Sequence, residues 1–169
     1  KNIKPLEIYY SLPVLGLFTA LIYFFATYIS SLYLFGIILI VLRLSLEILA
    51  KLLIPSYHHS TEELQLLDRI TPMIADVLLL IGIIVADSDY TIIGILAIGA
   101  IWAVTFLDFI LKRQTILLDS DHRLMVLLIV SFFQFFTQEF RLKIDCIYLF
   151  LIWITLYGIW IIGSSIYAI

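Results

Sequence analysis

The sequence has few of the residues on which soluble and disulfide-bonded proteins depend. Only 14 % of its 169 residues are charged, and a single cysteine, Cys146, is present. Soluble domains carry about a quarter charged residues, so a soluble globular fold is excluded. One cysteine excludes an internal disulfide and a cysteine metal cluster. We expect Cys146 to be a small apolar side chain at the start of a helix.

Several functional motifs are also missing from the sequence. It has no basic run or stripe, so nucleic acid is not expected as a partner. It has no nucleophile elbow, no nucleotide-binding glycine-rich loop and no H-E-x-x-H zinc motif. None of its long apolar runs contains a histidine, which argues against a haem held between helices. The sequence therefore offers no complete catalytic motif from these classes.

Long apolar runs dominate what is present. Hydrophobic residues make up 63 % of the chain, and the mean hydropathy is +1.14. A fold of this size cannot bury so much apolar surface, so lipid must solvate much of it. Sheet edges cannot face lipid, and the runs approach the length of a membrane-spanning helix. We predict an all-α integral membrane protein, one domain over 1–169, with about six transmembrane helices. The predicted spans are 12–28, 32–54, 71–86, 90–111, 124–137 and 144–169.

The segment before the third span carries helix-start signals. Ser60 and Glu63 have the spacing of a capping box, which predicts a short amphipathic helix over about 61–69. Thr71 and Pro72 then have the character of an N-cap and a first helical residue. We therefore expect two separate helices here. The polar run 119–123 is predicted as a loop before the fifth span.

Positive charges in the short loops predict the orientation. With six spans, the side that holds both termini carries most of the lysines and arginines: Lys1, Lys4, Lys51, Arg69, Lys112, Arg113 and Arg123. The opposite side carries only Arg141 and Lys143. By the positive-inside rule both termini face the cytoplasm of a bacterial inner membrane or its organellar equivalent. Four tyrosines near the outer turns are predicted to form an interfacial belt: Tyr28, Tyr33, Tyr90 and Tyr148.

Three charged residues interrupt the second span. Arg43, Glu47 and Lys51 follow one another at i, i+4 spacing and so share one helix face. Arg43 lies roughly 16 Å from the helix end, near the middle of the bilayer. A central arginine costs about 2.5–3.5 kcal/mol to insert, so it needs partners. Glu47, which can serve either Arg43 or Lys51, and Asp76 in the third span are the predicted partners.

These charged groups are the candidate site. Asp108, near the cytoplasmic end of the fourth span, is expected to join them together with Lys112. We expect the groups to line a polar cavity open to the cytoplasmic leaflet. Three interpretations remain open: an ion-pair network that fixes helix register, a cavity that binds a ligand or lipid headgroup, and a proton or ion path.

Two stretches of the chain resemble sequence motifs of a known family. Residues 43–51 read RLSLEILAK, and residues 67–78 read LDRITPMIADVL. They resemble the D-x-x-D-G-x-x-A-R and G-x-x-x-D-x-x-x-D motifs of the CDP-alcohol phosphatidyltransferase superfamily, six-helix membrane enzymes. Arg43 and Leu46 stand where the family has metal-binding aspartates. The family's general base corresponds to Asp76 when the neighbouring residues are compared, and to Asp68 when the spacing from Lys51 is used.

The resemblance implies a phospholipid-synthesis enzyme that transfers a phosphatidyl or phospho-alcohol group from a CDP-linked donor. Asp76 and Asp68 would be catalytic, Arg43 and Lys51 would bind phosphate with Glu47 beside them, and Mg²⁺ or Mn²⁺ would be the cofactor. A pyrophosphate leaving group needs divalent ions held by several carboxylates. Arg43 in a metal-binding position repels such an ion, so the motif is incomplete.

Our leading hypothesis is therefore a non-enzymatic component or accessory subunit of a membrane assembly. No cofactor and no metal site are identified. The expected partners are membrane lipids together with other membrane protein chains or a second copy. The alternatives are the CDP-alcohol phosphatidyltransferase-like enzyme and a small transporter or proton-path subunit.

Overall fold

The chain folds into helices joined by short turns. The computed structural model describes residues 5–53, 62–111 and 120–167, and within these ranges it contains α-helix and one 3₁₀ turn but no strand. The all-α class is confirmed. The elements, in chain order, are α1 (Pro5–Ala26), α2 (Leu32–Leu53), α3 (Glu62–Ala86), the 3₁₀ turn Ser88–Tyr90, α4 (Thr91–Leu111), α5 (Ser120–Glu139) and α6 (Cys146–Tyr167).

Five of these helices are long and apolar enough to cross a membrane: α1, α2, α3, α4 and α6. The protein is thus a multi-pass membrane protein by the length and composition of its helices. The helix α5 falls short of the same criterion because its first turn contains Asp121, His122 and Arg123. A sixth crossing by α5 and the cytoplasmic position of the termini remain predictions.

The predicted boundaries hold best for α2. Its predicted range, 32–54, matches the observed Leu32–Leu53. The helix α1 begins at Pro5 instead of residue 12. Its first turn is polar and contains Glu7, so the helix extends beyond the apolar run on which the prediction was based. The helix α5 begins at Ser120, so the prediction of a loop over 119–123 is wrong for residues 120–123.

The prediction of two helices at 61–86 is wrong, because α3 is one continuous helix. Pro72 lies inside it, and the Thr71 hydroxyl donates to the Leu67 carbonyl oxygen at 2.7 Å as part of the same helix. Proline removes one helical hydrogen bond, but a helix buried among neighbours tolerates this where the freed groups find partners. Ser60, half of the predicted capping box, lies outside the described residues.

The helices pack in a ring. Each helix contacts its two neighbours in the order α1, α2, α5, α6, α4, α3, and α3 returns to α1. Buried aliphatic side chains fill the centre: Ile40, Leu80, Ile101, Leu127 and Leu151. Contacts between Tyr9 and Asp68 and between Lys51 and Asp121 bring the starts of α1, α3 and α5 to the end of α2.

The tightest interface joins α1 to α3 through small residues. A Cβ atom at Gly16 would lie 2.7 Å from the Ala75 carbonyl oxygen, and one at Gly82 would overlap the backbone of Ala20. Small residues allow such close approach between membrane helices. This packing fixes α3, and with it Asp76, beside α1.

The opposite end of the ring holds buried polar groups. The Tyr90 hydroxyl donates to Asp145 at 2.6 Å, and Gln134 accepts a hydrogen bond from the Cys146 backbone N–H at 2.7 Å. Cys146 is the first residue of α6, as predicted. Of the four tyrosines of the predicted interfacial belt, Tyr33 and Tyr90 are buried in the bundle, and the belt itself stays a prediction. Tyr28 and Tyr148 are the exposed pair.

Candidate functional site

A cluster of charged side chains lies where α2, α3 and α5 meet. Arg43 is 1 % exposed, and its Nε donates to Glu47 Oε1 at 2.8 Å. Its Nη2 donates to Asp76 Oδ1 at 2.5 Å and to the Pro72 carbonyl oxygen at 2.9 Å. The predicted pairing of Arg43 with Glu47 and, across helices, with Asp76 is confirmed. The Pro72 carbonyl oxygen is thus a further acceptor for the arginine.

A second guanidinium binds the same carboxylate. Arg123 Nε donates to Asp76 Oδ2 at 2.8 Å, and its Nη2 contacts the same oxygen. Asp76 therefore lies between Arg43 and Arg123, with each of its oxygens held by one of them. The sequence analysis placed Arg123 in a loop and missed this role. The signal for this role is the polar run 120–123 itself. When the fifth helix is extended back by one turn over this run, Arg123 lies on the helix.

The first residue of α5 completes the cluster. Ser120 Oγ accepts from Arg43 Nη2 at 3.1 Å, and it lies 3.3 Å from Glu47 Oε1 and 3.4 Å from Asp76 Oδ1. The N-terminus of a helix carries a partial positive charge and free N–H groups, which favours carboxylates nearby. The start of α5 is thus level with Arg43, roughly 15 Å along α2 from its last residue.

Lys51 joins the cluster through α5. Its Nζ donates to Asp121 Oδ2 at 2.7 Å, whereas Glu47 serves Arg43. The side chains of Lys51 and Asp121 are 34 % and 25 % exposed, so this pair forms the rim of the cluster while Arg43 and Glu47 form its floor. Asp121, like Arg123, was predicted in a loop and was missed as a partner.

Asp68 and Asp108 are the remaining predicted site residues. Asp68 accepts a hydrogen bond from the Tyr9 hydroxyl at 2.7 Å. It precedes Asp76 on α3 by two turns, roughly 12 Å along the helix axis. The side chain of Asp108 and all of Lys112 lie outside the described residues. Of the six predicted residues, the structure brings together Arg43, Glu47 and Asp76 and attaches Lys51 through Asp121.

One small pocket lies beside the charged cluster. A pocket beside Asp76 and Arg123 has room for about one water molecule. Its other lining residues are apolar: Leu79, Leu80, Ile101, Leu124, Leu127, Phe150 and Ile154. On the side of this pocket the charged cluster is packed against an apolar layer, and the polar cavity open to the cytoplasmic leaflet stays a prediction.

Four polar atoms of this region are buried and have no hydrogen-bond partner among the described residues. They are Arg43 Nη1, Glu47 Oε2, Asp121 Oδ1 and His122 Nδ1. Buried polar atoms are normally satisfied, so these four groups have hydrogen-bonding capacity that the described residues do not use.

Among the described residues, the cluster pairs three cations with three carboxylates. Arg43, Lys51 and Arg123 face Glu47, Asp76 and Asp121 through the ion pairs given above. A divalent cation at Asp76 would compete with the guanidinium groups that already hold both of its oxygens. In the described part of the chain no three histidine, cysteine or acidic side chains converge as a metal site would require.

The fold and the site define a multi-pass helical membrane protein with a buried, internally paired charge cluster. No family model, no curated protein and no solved structure matches the chain.

Proposed function

We propose that the protein is a non-enzymatic component of a membrane assembly, built on a phosphatidyltransferase-like bundle. The observation that carries the proposal is the occupation of Asp76 by Arg43 and Arg123. A catalytic base or a metal ligand needs at least one oxygen available to substrate or metal, and both oxygens of Asp76 are engaged. The cluster is better suited to joining α2, α3 and α5 than to binding a nucleotide.

The outer surface of the bundle supports the same proposal. Large aromatic side chains are exposed on α4 and α6, among them Trp102, Phe106 and Trp160. Lipid and other membrane helices are the two surroundings in which such side chains are stable. A scaffold presents faces of this kind to lipid and to neighbouring chains.

The enzymatic alternative has weaker support. It requires Asp68, Asp76 and Glu47 to converge around a phosphate or metal, yet Asp68 bonds to Tyr9 and Asp76 to two arginines. Binding of a CDP-linked donor would have to break at least one buried ion pair. Breaking such a pair costs about 3–5 kcal/mol, which donor binding would have to offset.

The transport alternative also has weaker support. The charged cluster is separated from the polar groups of the opposite end by buried aliphatic residues that include Ile40, Leu80 and Leu127. An ion crossing this layer would leave the charged partners of the cluster. A transporter would need a second arrangement of these helices.

Enzymatic activity is tested with the purified chain in lipid nanodiscs. Labelled CDP-linked donor, a range of alcohol acceptors and Mn²⁺ or Mg²⁺ are supplied, and transfer to lipid is measured. We expect no transfer above that of empty nanodiscs. Transfer that disappears in Asp76→Asn would overturn the proposal in favour of the enzyme.

Membership of an assembly is tested by photo-cross-linking in native membranes. A photoreactive amino acid replaces Trp160, which is 70 % exposed, and in a matched control it replaces Ile154, which is 1 % exposed. We expect the first variant to form a discrete cross-linked protein species and the second to form none. Cross-links to lipid alone at Trp160 and at Trp102 would argue against a protein partner on this face.

A further inference from the structure

The connection between α5 and α6 exposes apolar and basic side chains in alternation. Its residues 140–144, which we call the α5–α6 turn, read FRLKI, and all five are exposed. The apolar ones are Phe140, Leu142 and Ile144, and each exposes more than half of its surface. Water would leave these three large side chains without apolar contact, whereas the boundary of a lipid bilayer covers them.

The α5–α6 turn lies at the end of the bundle opposite the charged cluster. At one end of α5, Asp121 pairs with Lys51 near the end of α2. At the other end, Glu139 accepts a hydrogen bond at 3.1 Å from Ser30, which lies just before the start of α2. The helix α5 therefore runs beside α2 over nearly the whole length of α2.

This position puts the turn at the depth of lipid headgroups. Both α2 and α6 are long and apolar enough to cross a membrane. The first residue of such a helix lies near the edge of the hydrocarbon layer. The α5–α6 turn is next to the start of α2 and leads directly into the start of α6, so it lies at the same edge.

The two cations of the turn are available to an anion. Arg141 and Lys143 are exposed, and among the described residues neither side chain has an ion pair or a hydrogen bond. The acidic residues on either side of the turn are engaged elsewhere. Glu139 accepts from the residue before α2, and Asp145 accepts from the Tyr90 hydroxyl at 2.6 Å. At headgroup depth the abundant anion is the lipid phosphate, whose oxygens a guanidinium binds through two N–H groups at once.

We propose that the α5–α6 turn is a phospholipid-binding surface with a preference for anionic headgroups. Its three apolar side chains lie at the boundary of the acyl chains, and Arg141 and Lys143 bind the phosphates beside them. A headgroup with a net negative charge is favoured over a zwitterionic one, because it carries no cation of its own to repel the two basic residues. The inference is independent of the function proposed above, because it concerns how this end of the bundle is held in the membrane.

Photo-cross-linking of the full chain in nanodiscs tests the surface. A photoreactive amino acid replaces Leu142, and the nanodisc contains phosphatidylcholine with a minor share of phosphatidylglycerol. We expect the lipid adducts, identified by mass spectrometry, to be enriched about fivefold in phosphatidylglycerol over its share, the factor that one basic residue contributes near an anionic surface. The matched control replaces Ile38, which is similarly exposed on α2, and its adducts should follow the bulk composition.

Charge variants of the same cross-linking chain identify the residues that cause the enrichment. Arg141→Gln and Lys143→Gln are each expected to reduce it and together to abolish it, while adducts with phosphatidylcholine remain. Arg69→Gln removes an exposed cation from α3 and should leave the enrichment unchanged. Circular dichroism of each variant checks that the helices are retained.

Three results would overturn the proposal. The first is a set of adducts at Leu142 that follows the bulk lipid composition as the adducts at Ile38 do. The second is an enrichment that persists in the double variant. The third is a discrete cross-linked protein at Leu142 in native membranes, because a protein partner would then cover the turn in place of lipid.

Discussion

Arg123 donates Nε to Asp76 Oδ2 at 2.8 Å, and this pair joins α5 to α3 across the ring of helices. Arg43 of α2 holds the other oxygen of the same carboxylate. One buried aspartate thus connects three helices. Its loss affects two arginines at once, which makes the cluster sensitive to small changes.

Asp76→Asn is expected to destabilise the protein strongly. The amide keeps the shape of the side chain but leaves two buried guanidinium groups facing a neutral partner. A loss of about 3–5 kcal/mol is expected in the free energy of unfolding, measured by detergent titration. Asp89→Asn, at an exposed position in the turn before α4, is the matched control and should change stability by less than about 0.5 kcal/mol. Equal effects of the two changes would contradict the role given to Asp76.

Arg43→Met is expected to be harmful alone and largely tolerated together with Glu47→Gln. The single change strands the Glu47 carboxylate without its buried cation, which costs about 3–5 kcal/mol. The double change removes that charge too, and Asp76 keeps Arg123, so no further neutralisation is needed. The measurement is a comparison of both variants by thermal unfolding in nanodiscs. If the double variant is as unstable as the single one, the ion-pair explanation is wrong.

Gly82→Ala is expected to weaken the contact between α1 and α3. The added methyl group would overlap the backbone of Ala20, which cannot move aside as a flexible side chain can. A loss of about 1–3 kcal/mol follows from overpacking. Gly99→Ala is the control, because a Cβ atom there meets nothing within 4 Å, and replacing a helical glycine should be neutral or slightly stabilising. Unfolding of the two variants under the same conditions tests the contrast.

Arg141→Gly is expected to stabilise the end of α5. Arg141 has a φ of 53°, and the N–H of the next residue, Leu142, bonds to the Thr137 carbonyl oxygen at 2.7 Å. This is the left-handed helix ending in which glycine is preferred. Relief of backbone strain should contribute up to about 1 kcal/mol. Lys143→Gly, two residues on, is the control and should not stabilise, and a gain in that variant alone would contradict the argument.

Part of the candidate site could be predicted from the sequence. Arg43 and Glu47 are four residues apart in an apolar run, so helix periodicity places them on the same face. Because an unpaired charge in lipid costs free energy, their pairing could be predicted. Asp76 followed because it lies in the next span at a similar depth. The partners on α5 did not follow, because a polar run before an apolar run looks the same whether it is a loop or the first turn of a helix.

The sequence by itself determined the all-α class, the apolar helices and the need to neutralise Arg43, because these depend on composition, on local periodicity and on the cost of a charge in lipid. Only the tertiary structure decided that Arg123 shares Asp76, that Lys51 pairs with Asp121, and that Pro72 lies within a continuous helix. Those outcomes depend on how deep α5 begins and which helices are neighbours in the ring. Depth and neighbourhood arise from packing between distant segments, and no local pattern in the chain encodes them.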